Sequence, residues 1–151
     1  AAGYVLFLAD ILDYPVCDNF FDIVFFNHSL EHISQDVKAL QTVYRILKPG
    51  GLLVLGTPNE GVWWWQLAYR LQPASLENSD HVQFYTAETL SKRMRESGFQ
   101  VREVKHMGWG PPLWWLDARV RRYEVLDDLF EVLGKALIPT QASSLYMLAY
   151  K

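Results

Sequence analysis

The sequence predicts an α/β layered sandwich, and three observations predict it. Strand-like and helix-like segments alternate along the chain, the order that places helices against a sheet. The run Phe21-Asp22-Ile23-Val24-Phe25-Phe26 does not alternate between apolar and polar residues, as expected of a strand covered on both faces of a parallel sheet. The segments between strands also carry their own punctuation, from cap residues to the stop Lys48-Pro49-Gly50-Gly51.

Taken in order, Tyr4 to Ala9 reads as a buried strand ending at Asp10, and Asp13 to Asn19, with Pro15 inside it, as a loop. Asp22 to Asn27 is the second strand. Ser34 is the expected N-cap of a helix with Asp36 in its first turn and Val37, Leu40, Val43, Tyr44 and Leu47 at helical spacing. Leu52 to Gly56 forms the third strand, ending at Thr57-Pro58-Asn59. A second helix occupies part of Val62 to Leu71, and a polar loop runs from Gln72 to Gln83. Thr86 caps a third helix with Leu90 and Met94 on one face, closed by Gly98. Phe99 to His106 is the fourth strand, and Gly108 to Pro112 breaks the chain. Asp117 to Leu133 reads as one long helix with Val120, Leu126, Leu129 and Leu133 inward, and Ser144 to Tyr150 as a closing strand. No internal repeat, low-complexity tract or linker interrupts this pattern.

At 151 residues, half of them hydrophobic, the chain fits one soluble globular domain with a sizeable core. Its formal net charge of -3 leaves no electrostatic footprint for nucleic acid, which is not expected as a partner. A single cysteine, Cys17, excludes an intramolecular disulfide and a cysteine-rich zinc site, and suits a cytoplasmic protein. No apolar stretch approaches the roughly 20 residues that span a bilayer, so no transmembrane segment is expected. The first residue is Ala1, and Gly3 leads straight into a strand-like segment, so the chain reads as beginning inside a domain.

The stretch Asn27-His28-Ser29-Leu30-Glu31-His32 places two imidazoles and a carboxylate at the mouth of the apolar second strand. Ligands in open α/β sheets bind just past the carboxyl ends of such strands, which makes this stretch a site candidate.

The order of segments resembles a class I S-adenosylmethionine-dependent methyltransferase of the small-molecule type. The resemblance is carried by Ala9-Asp10, Pro15 with Asp18-Asn19-Phe20-Phe21-Asp22-Ile23-Val24, Ser29-Leu30-Glu31-His32, and Arg45-Ile46-Leu47-Lys48-Pro49-Gly50-Gly51. Thr57-Pro58-Asn59 and His81-Val82-Gln83-Phe84-Tyr85-Thr86 with Ser97-Gly98-Phe99 complete it. It implies a Rossmann-like three-layer sandwich with strand order 3-2-1-4-5-7-6, of which this chain holds strand 3 and strands 4 to 7. The family's glycine-rich loop after its first strand and the acidic residue after its second have no counterpart here, so the resemblance is to a domain truncated at its N-terminus. It further implies S-adenosylmethionine as cofactor. Asp10 would accept from the adenine amino group with the Ile11 backbone beside the ring, and Asn27 and His28 would face the methionine and ribose portion.

Methyl transfer is an in-line displacement in which a sulfonium loses its charge, so alignment and desolvation supply most of the acceleration. The chemistry requires no metal or nucleophilic residue, and none is assigned. A general base would assist a hydroxyl acceptor, and imidazole suits that work near neutral pH. His81 and His32 are the catalytic candidates, each with a structural role such as a cap or loop hydrogen bond as the alternative, and His28 is placed with the cofactor. The clusters Trp63-Trp64-Trp65 and Trp109 with Trp114-Trp115 either line a pocket for a small apolar or aromatic acceptor or lie in the core and at a subunit surface. Arg119, Arg121 and Arg122 read as a solvated face, with an anionic acceptor group as the minor option. Two other functions stay open: a non-catalytic methyltransferase-like interaction domain, and a nucleotide-cofactor oxidoreductase, which the lack of any GxGxxG disfavours. With strands 1 and 2 absent, the strand Asp22 to Asn27 has an open edge, and a homodimer through that edge is the expected repair.

Overall fold

The computed structural model describes residues 5–71, 80–111 and 114–151. Its centre is a four-stranded sheet of β1 (Phe21–Asn27), β2 (Leu47–Pro58), β3 (Gln100–Met107) and β4 (Ser144–Tyr150) in the spatial order β1-β2-β4-β3. β1 and β2 are parallel, with Asn27 opposite Gly56, and β4 runs antiparallel to both β2 and β3. This order matches strands 4, 5, 7 and 6 of the implied arrangement.

Helix α1 (Asp36–Ile46) makes the crossover that a parallel pair requires. Its N-cap is Gln35 with no side-chain bond, so Ser34 does not cap it; Asp36 instead accepts from the Val37 amide at 2.8 Å. The helix ends at Ile46, and β2 starts at once. Residues 48–51 bulge out of register, so that Phe21 faces Leu47 but Ile23 already faces Leu52.

Helix α2 is Trp63–Leu71 and helix α3 is Ala87–Glu96. Thr86 caps α3 as expected, its hydroxyl accepting from the Thr89 amide while Thr89 Oγ1 accepts from the Thr86 amide. Gly98, at φ +99°, lets the chain turn under the Tyr44 ring into β3.

The core lies on one face of the sheet. Leu53 and Leu55 of β2 and Met147 and Ala149 of β4 pack with Leu40 and Val43 of α1, Leu90 and Met94 of α3, and Leu30, Tyr85 and Phe99, all buried. Truncating one of these leucines to alanine would cost about 2–5 kcal/mol. The opposite face carries the other half of the apolar run: Ile23 and Phe25 are 61% and 65% exposed. The two-sided apolarity of the sequence is thus present, and among the described residues one side is packed.

Two further expectations are corrected. Residues 5–9 form no strand, and Val5, Leu6, Phe7 and Leu8 are exposed; Tyr4 lies outside the described residues. In the implied strand order this segment pairs with a strand that has no counterpart among the described residues, and an apolar run with no backbone partner gains nothing from extension. The long helix is also broken, into α4 (Trp114–Val120) and α5 (Glu124–Leu137). Arg121, at the break, binds Asp117 at 2.7 Å and Asp127 at 3.3 Å. An uninterrupted helix would put residues 121 and 127 on different faces, so this brace depends on the turn. Val120 is buried, but Leu126, Leu129 and Leu133 are exposed. Gly134 is the buried residue of α5, where a Cβ would collide with the Trp109 ring. Among the described residues no helix is long and apolar enough to cross a membrane. Most of the expected polar loop, residues 72–79, and residues 112–113 lie outside the described residues.

Candidate active site

β1 and β2 end side by side, and their carboxyl ends carry the candidate site. Past Asn27 the chain turns sharply. His28 adopts φ 46°, a left-handed conformation uncommon outside glycine, while its amide donates to the Gly56 carbonyl at 2.9 Å. Ser29 Oγ donates to the Asn27 carbonyl at 3.0 Å, and Leu30–His32 form a single 3-10 turn. That turn aims Leu30 into the core and buries Glu31 beside it, leaving 2% of the Glu31 side chain exposed.

Glu31 is the hub. Thr57 Oγ1, from the end of β2, donates to Glu31 Oε2 at 3.4 Å. His28 Nδ1 comes within 3.3 Å of Oε1, an ion-pair distance without hydrogen-bond alignment, so Oε1 is buried with no hydrogen-bond partner. His32 Nε2 faces the same oxygen at 3.9 Å. The Glu31 carbonyl accepts from the amides of Val82 and Gln83 at 2.8 and 3.0 Å, drawing a segment fifty positions downstream against the turn. His81 is thereby placed beside His32, ring centroids 4.9 Å apart. His32 Nδ1 in turn donates to the Asp80 carbonyl at 3.2 Å.

Glu60, two residues past β2, completes the polar group and is buried. Tyr69 Oη, from α2, donates to its two oxygens at 3.0 and 3.2 Å. Burial pushes the Glu60 carboxyl above its usual range, partly offset by the Tyr69 bond and the field of His81. Burial, followed by the Glu60 charge and hydrogen bond, raises Tyr69, which stays a neutral donor. On the other side of the segment, Tyr85 Oη donates to Asp36 Oδ2 at 2.9 Å, tying residues 80–86 to α1.

The structure therefore brings His28, His32 and His81 together around Glu31. Asn27 lies on their margin: its Oδ1 is buried without a hydrogen-bond partner and rests against Gly56, where a Cβ would collide with it. Asp10 and Ile11 sit on a separate turn, Ile11–Asp13, where Asp10 Oδ1 accepts from the Leu12 amide at 2.9 Å and Ile11 packs on the core beside α1. Of the tryptophans, Trp65 stacks on Tyr69 at 6.2 Å and so adjoins Glu60, while Trp63 is exposed. Trp109 is buried, its Nε1 donating to the Ile138 carbonyl at 2.9 Å, and lines a cavity with His106, Met107 and Lys135 that includes no residue of the Glu31 group. The side chains of Trp114 and Trp115 lie outside the described residues. Sequence reasoning missed Glu60 and Tyr69. Glu60 directly follows Thr57-Pro58-Asn59 at a strand end, and that position was the available signal.

The carboxyl ends of parallel strands are where open α/β sheets bind ligands, which makes this cluster of acceptors and imidazoles the candidate site. The profile of the methyltransferase domain family matches residues 7–104, which is 98 of the 151 residues, and the chain belongs to that family. It is 35% identical over 80 residues to malonyl-[acyl-carrier protein] O-methyltransferase of Buchnera aphidicola, a match covering 52% of this chain and 32% of the relative. It is 42% identical over 52 residues to the ubiquinone/menaquinone biosynthesis C-methyltransferase UbiE of Hydrogenovibrio crunogenus, covering 34% and 20%. Among solved structures, a Thermotoga maritima S-adenosylmethionine-dependent methyltransferase, described as a possible histamine N-methyltransferase, superposes with TM-score 0.65 at 18% identity. That match covers 95% of this chain and 62% of the other, and the shared fold is the Rossmann-like one of class I methyltransferases. The matched segments thus span a third or less of the two relatives' lengths.

Proposed function

We propose that the protein takes part in methyl transfer from S-adenosylmethionine to a small apolar or aromatic acceptor at the carboxyl ends of β1 and β2. The observation that carries this reading is the group at those strand ends of buried Glu31, Thr57 and Glu60 with the buried Oδ1 of Asn27, in a chain of the methyltransferase domain family. The residues fit the cofactor. Asn27 Oδ1 is a buried acceptor without a partner, suited to the donors of a methionine ammonium or a ribose. Asp10 uses one carboxylate oxygen on its own turn and retains the other for an adenine amino group. When bound, S-adenosylmethionine supplies an electrophilic methyl on a sulfonium.

The chain's own residues divide the remaining work. Asp10 and the Ile11 backbone hold the adenine, and Asn27 and His28 the opposite end. Glu60 and His81 stand on the acceptor side. A buried carboxyl raised above its usual range and an imidazole are both suited to holding an acceptor proton near neutral pH. Trp65 and Tyr69 present an aromatic wall next to Glu60. The two relatives are named for an O-methyl and a C-methyl product, so the acceptor atom is oxygen or carbon in this reading.

Transfer of a radiolabelled methyl from S-adenosylmethionine to a panel of small phenols, quinols and carboxylic acids tests it. Label in an acceptor, lost in Asn27→Ala, supports the proposal. Absence of transfer to every class, with no cofactor binding, removes it. The alternative of a non-catalytic interaction domain, which the missing glycine-rich loop suits, is not favoured by the family match and the methyltransferase relatives.

A further inference from the structure

We propose that Glu31, His32 and His81 form a binding site for a divalent first-row transition-metal ion. Three of the chain's four histidines surround Glu31, and one ligand atom each from Glu31, His32 and His81 lie within 4.8 Å of one another. The orientation of His32 supports the grouping. A carbonyl oxygen only accepts, so the Asp80 carbonyl at 3.2 Å fixes the proton on Nδ1, and the Asp80 carboxylate at 3.4 Å reinforces it. In the neutral ring Nε2 is then a lone-pair atom, and it is Nε2 that faces Glu31 Oε1 at 3.9 Å. Nε2 and the buried Glu31 Oε1, which has no hydrogen-bond partner, thus face one space, and a metal ion placed in it is within reach of both and of His81.

The surroundings match those of a metal ligand set. A ligating imidazole donates its other nitrogen to a carbonyl or carboxylate, as His32 does to Asp80, and a ligating carboxylate is held from behind, as Glu31 is by Thr57. Two imidazoles and one carboxylate suit zinc or another first-row ion and leave open positions, whereas magnesium and calcium need oxygen ligands. Bonds of about 2.0–2.2 Å place tetrahedral ligand atoms about 3.3 Å apart, so the side chains of His32 and His81 close in by about 1.5 Å at most. His28 Nδ1, at 3.3 Å from the same oxygen, adds a third imidazole beside the carboxylate. The sequence gives no metal spacing of the short-range kind, because His81 reaches the cluster only through the Val82 and Gln83 amides on the Glu31 carbonyl.

The inference does not depend on methyl transfer, and its test is separable from it. Protein stripped with EDTA and dialysed is titrated with zinc chloride by calorimetry and with cobalt(II) by its visible absorption. One equivalent is expected to bind with low-micromolar affinity, undisturbed by millimolar magnesium. Glu31→Gln and His81→Ala should each weaken zinc binding at least tenfold, and His106→Ala, outside the cluster, should not. Circular dichroism confirms that each variant is folded, and the half-buried His81 position decides the matter if Glu31→Gln is not. Absence of saturable zinc binding, or equal binding in the wild type and His81→Ala, overturns the site. A cofactor titration in EDTA keeps the two readings apart: zinc binding without a cofactor response removes only methyl transfer, and the converse removes only the metal.

Discussion

The side chain of Asn27 rests against Gly56, and its buried Oδ1 has no hydrogen-bond partner. The two residues face one another in the parallel register of β1 and β2, so the absence of a side chain at one position makes room for the amide of the other. Gly56→Ala would drive a methyl into Asn27 Oδ1 and the Tyr146 ring. The expected cost is about 1–3 kcal/mol in chemical denaturation, together with loss of the cofactor response. A Gly56→Ala protein of unchanged stability and unchanged response would show that Asn27 does not depend on this contact.

Asp10 and His81 are assigned to opposite sides of the transferred methyl, so their variants should fail differently. Asp10→Ala weakens S-adenosylmethionine binding by about 1–3 kcal/mol, the scale of one lost hydrogen bond to a charged group, and Asp10→Asn recovers the turn cap. His81→Ala leaves that affinity near wild type and lowers turnover by about 10²-fold or more. Equal loss of cofactor affinity in both would dissolve the distinction.

Glu60 carries a pH signature whose sign follows from its burial. Its carboxyl is raised above the ordinary 4.5, so it binds its proton more tightly folded than unfolded. The associated stability is fully present below about 4.5 and is lost as pH rises through the folded value. Glu60→Gln keeps an acceptor for Tyr69 and removes the buried charge. It should melt higher than wild type at neutral pH, and the gain should vanish in acid below 4.5. A difference in melting temperature that does not change with pH would contradict this account.

The outer edge of β1 has no strand beside it among the described residues, and Phe20 before the strand and Ile23 and Phe25 on its uncovered face are exposed. Self-association through that edge is the expected outcome for this chain. Sedimentation should report a dimer at micromolar concentration that Phe25→Lys shifts toward monomer. A well-folded monomer in the unsubstituted chain would remove the edge as an interface.

Much of the frame was legible because it rests on local signals. The apolar run ending at Asn27, the Thr86 cap and the closing strand Ser144–Tyr150 each have a pattern that short stretches of chain carry in full. The failures fall where tertiary partners decide. Val5 to Ala9 has the composition of a strand but no neighbour to pair with, and residues 117–133 have helical periodicity that Arg121 interrupts by binding acids on both sides. The site was half legible for the same reason. Asn27, His28 and His32 follow a strand end and announce themselves, whereas the meeting of His81 with Glu31 depends on two backbone hydrogen bonds across about fifty residues. Glu60 follows a strand end too, but its burial and its bond from Tyr69, which set it apart, come only with the fold.

The central claim is that the ends of β1 and β2 hold S-adenosylmethionine. The most direct measurement is a titration of isotopically labelled protein with the cofactor, followed by amide NMR shifts, which registers weak as well as tight binding. Because no glycine-rich GxGxxG turn is present in the sequence, saturation is expected at concentrations well above the low-micromolar range. The account predicts that the amides of Ile11, Asn27, His28 and Gly56 move together and saturably, and that Asn27→Ala abolishes their response. Shifts confined to α4 and α5, or no shift at millimolar cofactor, would contradict it.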